Sequence, residues 1–215
     1  MIPRKNDTVT LTFTGYGSEG EGVARLDGMA VFVKGALRGE TCRVRLIKVN
    51  KTVAWGRLEE VLTPSPARMA PNCPHYPKCG GCQLRHMTYE EELALKKAKV
   101  EDALRRIGGV DLPVSAILGA ASTERYRNKA QFPAAQTQEG LKVGFFRARS
   151  HQVIDVPACL LQAQEADGAR GAVKGWMEAH GIPAYDETDG TGLVRHIYVR
   201  TNRRGESLEI GRAHV

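Results

Sequence analysis

Cys73, Cys79 and Cys82 stand within ten residues of one another in PNCPHYPKCGGCQ, and Cys159 follows alone in DVPACLL. Gly80 and Gly81 permit a loop tight enough for three sulfurs to face one centre. If the lone thiol joins them, everything between residues 83 and 158 must lie on an excursion that leaves that centre and returns to it. No other feature of the chain constrains its fold as strongly.

The chain starts Met1-Ile2-Pro3-Arg4-Lys5, with no apolar leader, and carries no long apolar run. A cytoplasmic location is expected, and with it reduced thiols and no membrane partner. A metal therefore explains the cysteines better than a disulfide framework does. Structural zinc favours two short Cys-x-x-Cys pairs. Three clustered thiolates plus a remote one suit an iron–sulfur cluster, whose sulfurs backbone N–H groups at Gly80 and Gly81 can tune. Zinc stays open because His75 and His86 flank the loop, although each histidine reads more simply as a loop or capping residue. Cys42 alternates with Val44 and Leu46 and is expected to be a small buried apolar side chain.

At 215 residues with 42% hydrophobic side chains, the chain can build one or two ordinary domains. Its net charge of +7, from 31 Lys+Arg against 24 Asp+Glu, is moderate and does not by itself demand a nucleic acid. The first 62 residues read as all-β. Val9, Leu11 and Phe13 alternate with threonines, a glycine-rich turn follows, and further strands are expected over 29–33, 41–49 and 53–61. Short strands at this spacing predict a small five-stranded barrel such as an OB-fold. Arg43, Arg45 and Lys48 point outward from one strand, with Lys34, Arg38 and Lys51 at nearby turns, so one face can track a phosphate backbone. Charged protection of a sheet edge accounts for them equally well.

Residues 62–66 form a Pro-rich linker into the cysteine loop. A helix is predicted over 89–107, with Thr88 and Glu91 as a capping box and Gly108-Gly109 as its stop. Tyr89, Leu93, Val100, Leu104 and Ile107 share a face expected to be core. From residue 122 strands resume. Between Arg125 and Arg149 lie six basic residues (Arg125, Arg127, Lys129, Lys142, Arg147, Arg149) against one acidic, Glu139, with Tyr126, Phe132, Phe145 and Phe146 interleaved. That mixture suits phosphate contacts and the stacking of unpaired bases, though Phe145 and Phe146 are expected in the core. A short helix near 171–180 and a strand over 193–200 complete the chain.

Four stretches carry a resemblance: GSEGEGVARLDGMAVFVKGALRGE (17–40), CPHYPKCGGCQLRHMTYEEELALKK (73–97), YRNKAQFP (126–133) and VGFFRARSHQVIDVPACLL (143–161). In these the chain resembles the bacterial ribosomal RNA uracil-5-methyltransferases that have an N-terminal TRAM domain and an iron–sulfur cluster. The resemblance implies that Cys73, Cys79, Cys82 and Cys159 hold a [4Fe–4S] cluster and that residues 1–62 form an RNA-binding TRAM barrel. It favours 23S ribosomal RNA as the partner, and the basic residues expected to contact it, read from their placement above, are Lys34, Arg43, Arg45, Lys48, Arg125, Arg127, Lys129, Arg147 and Arg149; the protein is expected to be a monomer. The tRNA-directed relatives are expected to lack both barrel and cysteine cluster. Family chemistry adds a cysteine thiolate to C6 of a flipped-out uracil, so that C5 takes a methyl group from S-adenosylmethionine.

The expected fold class is a β-barrel plus α+β. An OB-fold barrel over 1–62 precedes an iron–sulfur-bearing mixed α/β central domain, comprising the cysteine loop 63–88, a helical excursion 89–121 and the sheet 122–208. A C-terminal Rossmann-like methyltransferase domain is expected to be absent, and no residue is assigned to catalysis or to S-adenosylmethionine. Residues 209–215 match one reading frame of a sequencing-library adapter and are expected to be an artefactual tail. The alternative to an enzyme is a non-catalytic RNA-binding iron–sulfur protein.

Overall fold

The computed structural model describes residues 3–213 apart from Pro77. Met1 and Ile2 of the leader reading, and His214 and Val215 of the expected tail, lie outside the described residues. The chain divides into two compact units, one of residues 1–72 with 83–119 and the other of residues 73–82 with 120–215. Among the described residues, no helix is long and apolar enough to cross a membrane.

The first unit holds a closed barrel of β1 (Thr8–Tyr16), β2 (Gly22–Leu26), β3 (Met29–Lys34), β4 (Thr41–Val49) and β5 (Val53–Thr63), in the order β1-β2-β3-β5-β4. Period-2 alternation builds it. Leu11, Phe13, Val31, Val33, Cys42, Val44 and Leu46 turn inward as one core, while the threonines of β1 and the charges of β4 face out. Antiparallel pairing of β1 with β4 and parallel pairing of β3 with β5 close the ring and leave no open edge. The expected barrel is present; β2, hidden in the glycine-rich stretch, is the strand that the sequence reading did not single out.

A buried ion pair ties the linker to this barrel. Glu40 is fully buried and receives the Arg68 guanidinium at Nε and Nη2, with main-chain N–H groups of Leu37 (2.9 Å) and Ser65 (3.3 Å). Burial pushes its pKa up, but Arg68 and the amides outweigh that and hold the carboxyl below its usual range.

Helix α1 (Tyr89–Arg106) starts where expected, with the Thr88 hydroxyl accepting from the Glu91 N–H. The Glu91 carboxylate does not close a capping box. It accepts from the Tyr16 hydroxyl (2.7 Å) and from Arg38 (3.0 Å). The expected core stripe is also corrected. Val100 is 50% exposed and Ile107 88%, whereas Leu95, outside that stripe, packs with Leu37 and Met87. With Glu91 bound to barrel residues, the helix is rotated so that Leu95 faces inward.

The second unit is a five-stranded sheet in the order β10-β9-β6-β7-β8, antiparallel throughout, with one helix. Its elements are β6 (Lys129–Thr137), β7 (Gly140–Phe146), β8 (Val153–Asp155), α2 (Gln164–Ala179), β9 (Val194–Thr201) and β10 (Ser207–Ala213). α2 lays Ala166 and Met177 on one face, over Ala130, Phe132, Val143, Ile197 and Val199. The opposite face presents Lys129 and Gln131 from β6 and His196, Tyr198 and Arg200 from β9. β10 runs through Glu209 to Ala213 without a break at 208. Main-chain pairing accepts almost any sequence, so this pairing does not bear on the origin of those residues.

Candidate functional site

All four cysteines of the metal motif fall in the second unit. The loop is built from main-chain bonds: the Tyr76 N–H donates to the Cys73 carbonyl (3.1 Å), the Cys79 N–H to the His75 carbonyl (2.8 Å) and the Gly80 N–H to the Phe146 carbonyl (3.0 Å). Cys79 and Arg147 form an antiparallel bridge, so the loop extends the end of β7. Gly80 is required there, because a Cβ would meet the Phe146 carbonyl at 2.9 Å and the Ala148 backbone at 3.1 Å. The next amide, Gly81 N–H, points at the Cys79 sulfur at 3.4 Å.

Cys159 comes from the segment before α2. Its N–H is held by both oxygens of Asp167, at 3.1 and 3.2 Å, and Asp167 is paired with Arg125 at 2.5 Å. Burial pushes the Cys79 thiol up, and Cys82, Cys159 and Cys73 push it in the same direction. All four thiols are partly exposed, and Cys79 feels Cys159 although 76 residues of chain separate Cys82 from Cys159.

Among the described residues, no group of three or more histidines, cysteines or carboxylates stands ready to hold a metal ion. His75 stays in the loop, while His86 belongs to the first unit, where burial first and the neighbouring Arg68 second lower its pKa to about 4. Cys42 sits in the barrel core, its thiol pushed up to about 11 by burial, so it is a packing residue as expected.

The basic residues proposed for RNA separate into groups. Arg43 and Arg45 pair with Glu60 and Glu59 across the β4–β5 ladder, the latter at 2.6 Å. Lys48 lies 5.0 Å above the Trp55 ring, which stacks with Phe32 at 6.3 Å, and Lys34 is exposed at the end of β3. Arg125 is turned inward onto Asp167 and the Gln162 carbonyl, which makes it a support for Cys159. Arg127 is exposed, with its main chain bridged to the 161–163 segment, and Lys129 stands opposite Arg200. Arg147 is held by Gln152, and Arg149 takes a left-handed turn conformation (φ 58°).

A cleft of about 540 Å³ opens beside the loop, lined by Gly80, Gly81, Phe146, Arg147, Arg149 and His151. Phe146 faces outward at 38% exposure, contrary to the core placement expected for it, because the strand alternation gives the inward position to Phe145 against Phe132. The sequence reading also passed over Trp55, Phe32, His196 and Tyr198. Outward aromatics on strands otherwise exposed are the signal that was there to read.

Residues 4–58 match the TRAM domain family model. Over nearly its whole length the chain is similar to RNA methyltransferases. It is 44% identical to an uncharacterised RNA methyltransferase of Clostridium tetani over 207 residues, 96% of this chain and 45% of the relative. It is 43% identical to one of Bacillus cereus, over 91% of this chain and 43% of the relative. The chain thus spans less than half the length of these curated relatives. A solved structure, the Pyrococcus abyssi tRNA (uracil-54, C5)-methyltransferase in complex with S-adenosyl-L-homocysteine, matches 96% of this chain and 46% of its own, with a TM-score of 0.70 and 21% identity.

The comparison corrects the expected fold class, which was framed by an absent Rossmann-like domain. Since 96% of the chain aligns with 46% of that structure at a TM-score of 0.70, the fold class is defined by what is present, a TRAM-type barrel followed by a unit of antiparallel sheet and one helix, both shared with that structure. A fold is carried by pairing and burial, which persist at low identity. A tRNA enzyme that covers the barrel as well also removes one ground for preferring ribosomal RNA.

Proposed function

We propose that this chain serves an S-adenosylmethionine-dependent methyltransferase that modifies C5 of a uridine in 23S ribosomal RNA, with Cys73, Cys79, Cys82 and Cys159 holding a [4Fe–4S] cluster. The gathering of four thiols around Cys79 carries this reading. The donor set fits a cubane. It offers one sulfur for each of four irons, and sulfurs at the corners of a cluster stand farther apart than sulfurs that share a single zinc at about 2.3 Å. The glycine approach at Gly80 and the Gly81 amide supply the close main chain that such a cluster uses. Its role in this reading is structural: it joins the 73–82 loop to the segment leading into α2. Reduced thiolates presuppose a reducing compartment such as the cytoplasm.

Lys34, Lys48, Arg127, Lys129, Arg147 and Arg149 are exposed or half-exposed and suit phosphate contact. Arg43 and Arg45 contribute less in this reading, since each is already paired. Arg125 positions Cys159 and does not touch RNA. The ribosomal target rests on the resemblance of the cysteine-bearing stretches to the rRNA enzymes.

Deleting the gene and mapping 5-methyluridine tests the activity. One 23S rRNA position is expected to lose the modification and to regain it on complementation. Loss from transfer RNA alone overturns the ribosomal target, and unchanged 5-methyluridine in all RNA overturns the activity. Protein isolated without oxygen is expected to contain about four iron and four sulfide per chain; iron-free, colourless protein overturns the cluster.

A further inference from the structure

We infer that the sheet face opposite α2 is a stacking platform for an unpaired stretch of RNA, built from Phe146, His196 and Tyr198. This deepens the RNA reading above and rests on it.

The rings form a continuous row across the sheet. The Phe146 and His196 centroids lie 6.5 Å apart, edge to face, and His196 and Tyr198 lie 6.1 Å apart. At its other side Phe146 meets His151 at 5.6 Å. The row exists because β7 and β9 are both neighbours of β6, and because outward positions on β9 recur every second residue. A core-building sheet would cover such rings. Here α2 occupies the other face, and Phe146 is more than one-third exposed.

Charge says what the face suits. Arg147 stands at one end of the row, and Lys129 and Arg200, directly opposite each other on β6 and β9, stand at the other. The carboxylate that feels both His151 and His196 is Glu187, and it is already neutralised by Arg195 at 2.5 Å. Aromatic faces between flanking cations match a single strand, whose bases stack while its phosphates reach the rim. A protein partner or a lipid surface would not need rings interleaved with cations at both ends.

Fluorescence anisotropy of the full chain with a labelled single-stranded oligouridine tests the platform. Phe146→Leu and Tyr198→Ala are each expected to weaken binding about 5–100-fold, with the slope of log affinity against log salt unchanged. Phe146→Tyr, which keeps the ring, is expected to bind as the unaltered chain does. Ultraviolet cross-linking of the unaltered chain to 4-thiouridine RNA adds a measurement free of folding effects, and peptides bearing Phe146 or Tyr198 are expected among the products. Unchanged affinity in both ring variants, equal losses in Phe146→Leu and Phe146→Tyr, or cross-links confined to residues 4–58 overturn the platform. In those cases salt-sensitive binding by the unaltered chain leaves the broader RNA reading standing. An unaltered chain that binds no RNA overturns both.

Discussion

Glu40 and Arg68 show how one residue pair can decide the stability of a small unit. Arg68→Met leaves a carboxylate buried with two amide donors, Leu37 and Ser65, and the weak Cys42 thiol donor. A loss of about 3–5 kcal/mol is expected in denaturant unfolding near neutrality. The folded-state pKa of Glu40 is depressed, so the pair's contribution is present above the unfolded carboxylate pKa and is lost as pH falls through the folded one. In the variant burial is opposed only by the two amides, so the depression is smaller and less stability is lost on acidification. The gap between the two proteins must therefore narrow as the solution is acidified through the carboxylate range. A gap that stays constant would show that Glu40 is not charged in the native protein.

Asp167 is the second decisive residue. It holds the Cys159 N–H and is itself anchored by Arg125, which makes it a support around a proposed ligand. Asp167→Ala is expected to speed iron loss to a chelator by about 10–100-fold, the usual scale for such supports. Arg125→Ala should act in the same direction and leave the salt dependence of RNA binding unchanged. The sequence could not separate Arg125 from Arg127 and Lys129, because all three fit one alternating basic strand. β6 begins only at Lys129, so Arg125 sits in a turn with φ 56° and aims inward.

At the scale of the element, helix α1 separates what is local from what is not. Thr88, the glutamates of the first turn and the arginines of the last are local signals, and the helix spans Tyr89–Arg106 as they require. Thr88→Ala should cost about 1 kcal/mol. The helix face that is buried depends on what the helix meets. Leu95→Ala should cost about 2–5 kcal/mol, whereas Ile107→Ser should stay within about 0.5 kcal/mol. Thermal or denaturant unfolding of these variants checks the order; a large loss at Ile107 would contradict the orientation described. The β7–β8 pair is equally tight. A Cβ at Gly144 would come 2.0 Å from the Ile154 carbonyl oxygen, so Gly144→Ala must push β8 away, at about 1–3 kcal/mol or more.

At the scale of the whole molecule, the net charge of +7 is less informative than its placement. Much of the barrel's positive charge is spent on Glu59 and Glu60, while cations flank the aromatic row of the second unit. Each lysine or arginine that meets a single-stranded phosphate adds about 0.7 to the salt slope of binding. Replacing Lys129 and Arg200 by alanine should therefore reduce that slope by about 1.4. The same change at Arg43 and Arg45 should reduce it little, and slopes measured by anisotropy at several salt concentrations compare the two pairs.

The barrel strands, the long helix and the candidacy of the four cysteines were legible in the sequence because each depends on short-range order. Alternation marks a strand, a cap marks a helix start, and closely spaced thiols mark a ligand loop. Tertiary structure alone decided that Cys159 returns to Cys79, that Phe146 faces outward while Phe145 enters the core, and that the basic residues divide between ion pairs, supports and open surface. Those outcomes depend on which distant segments share a sheet or a turn. A chain read one neighbourhood at a time carries no record of that choice, since burial and pairing are settled by all the competing contacts at once.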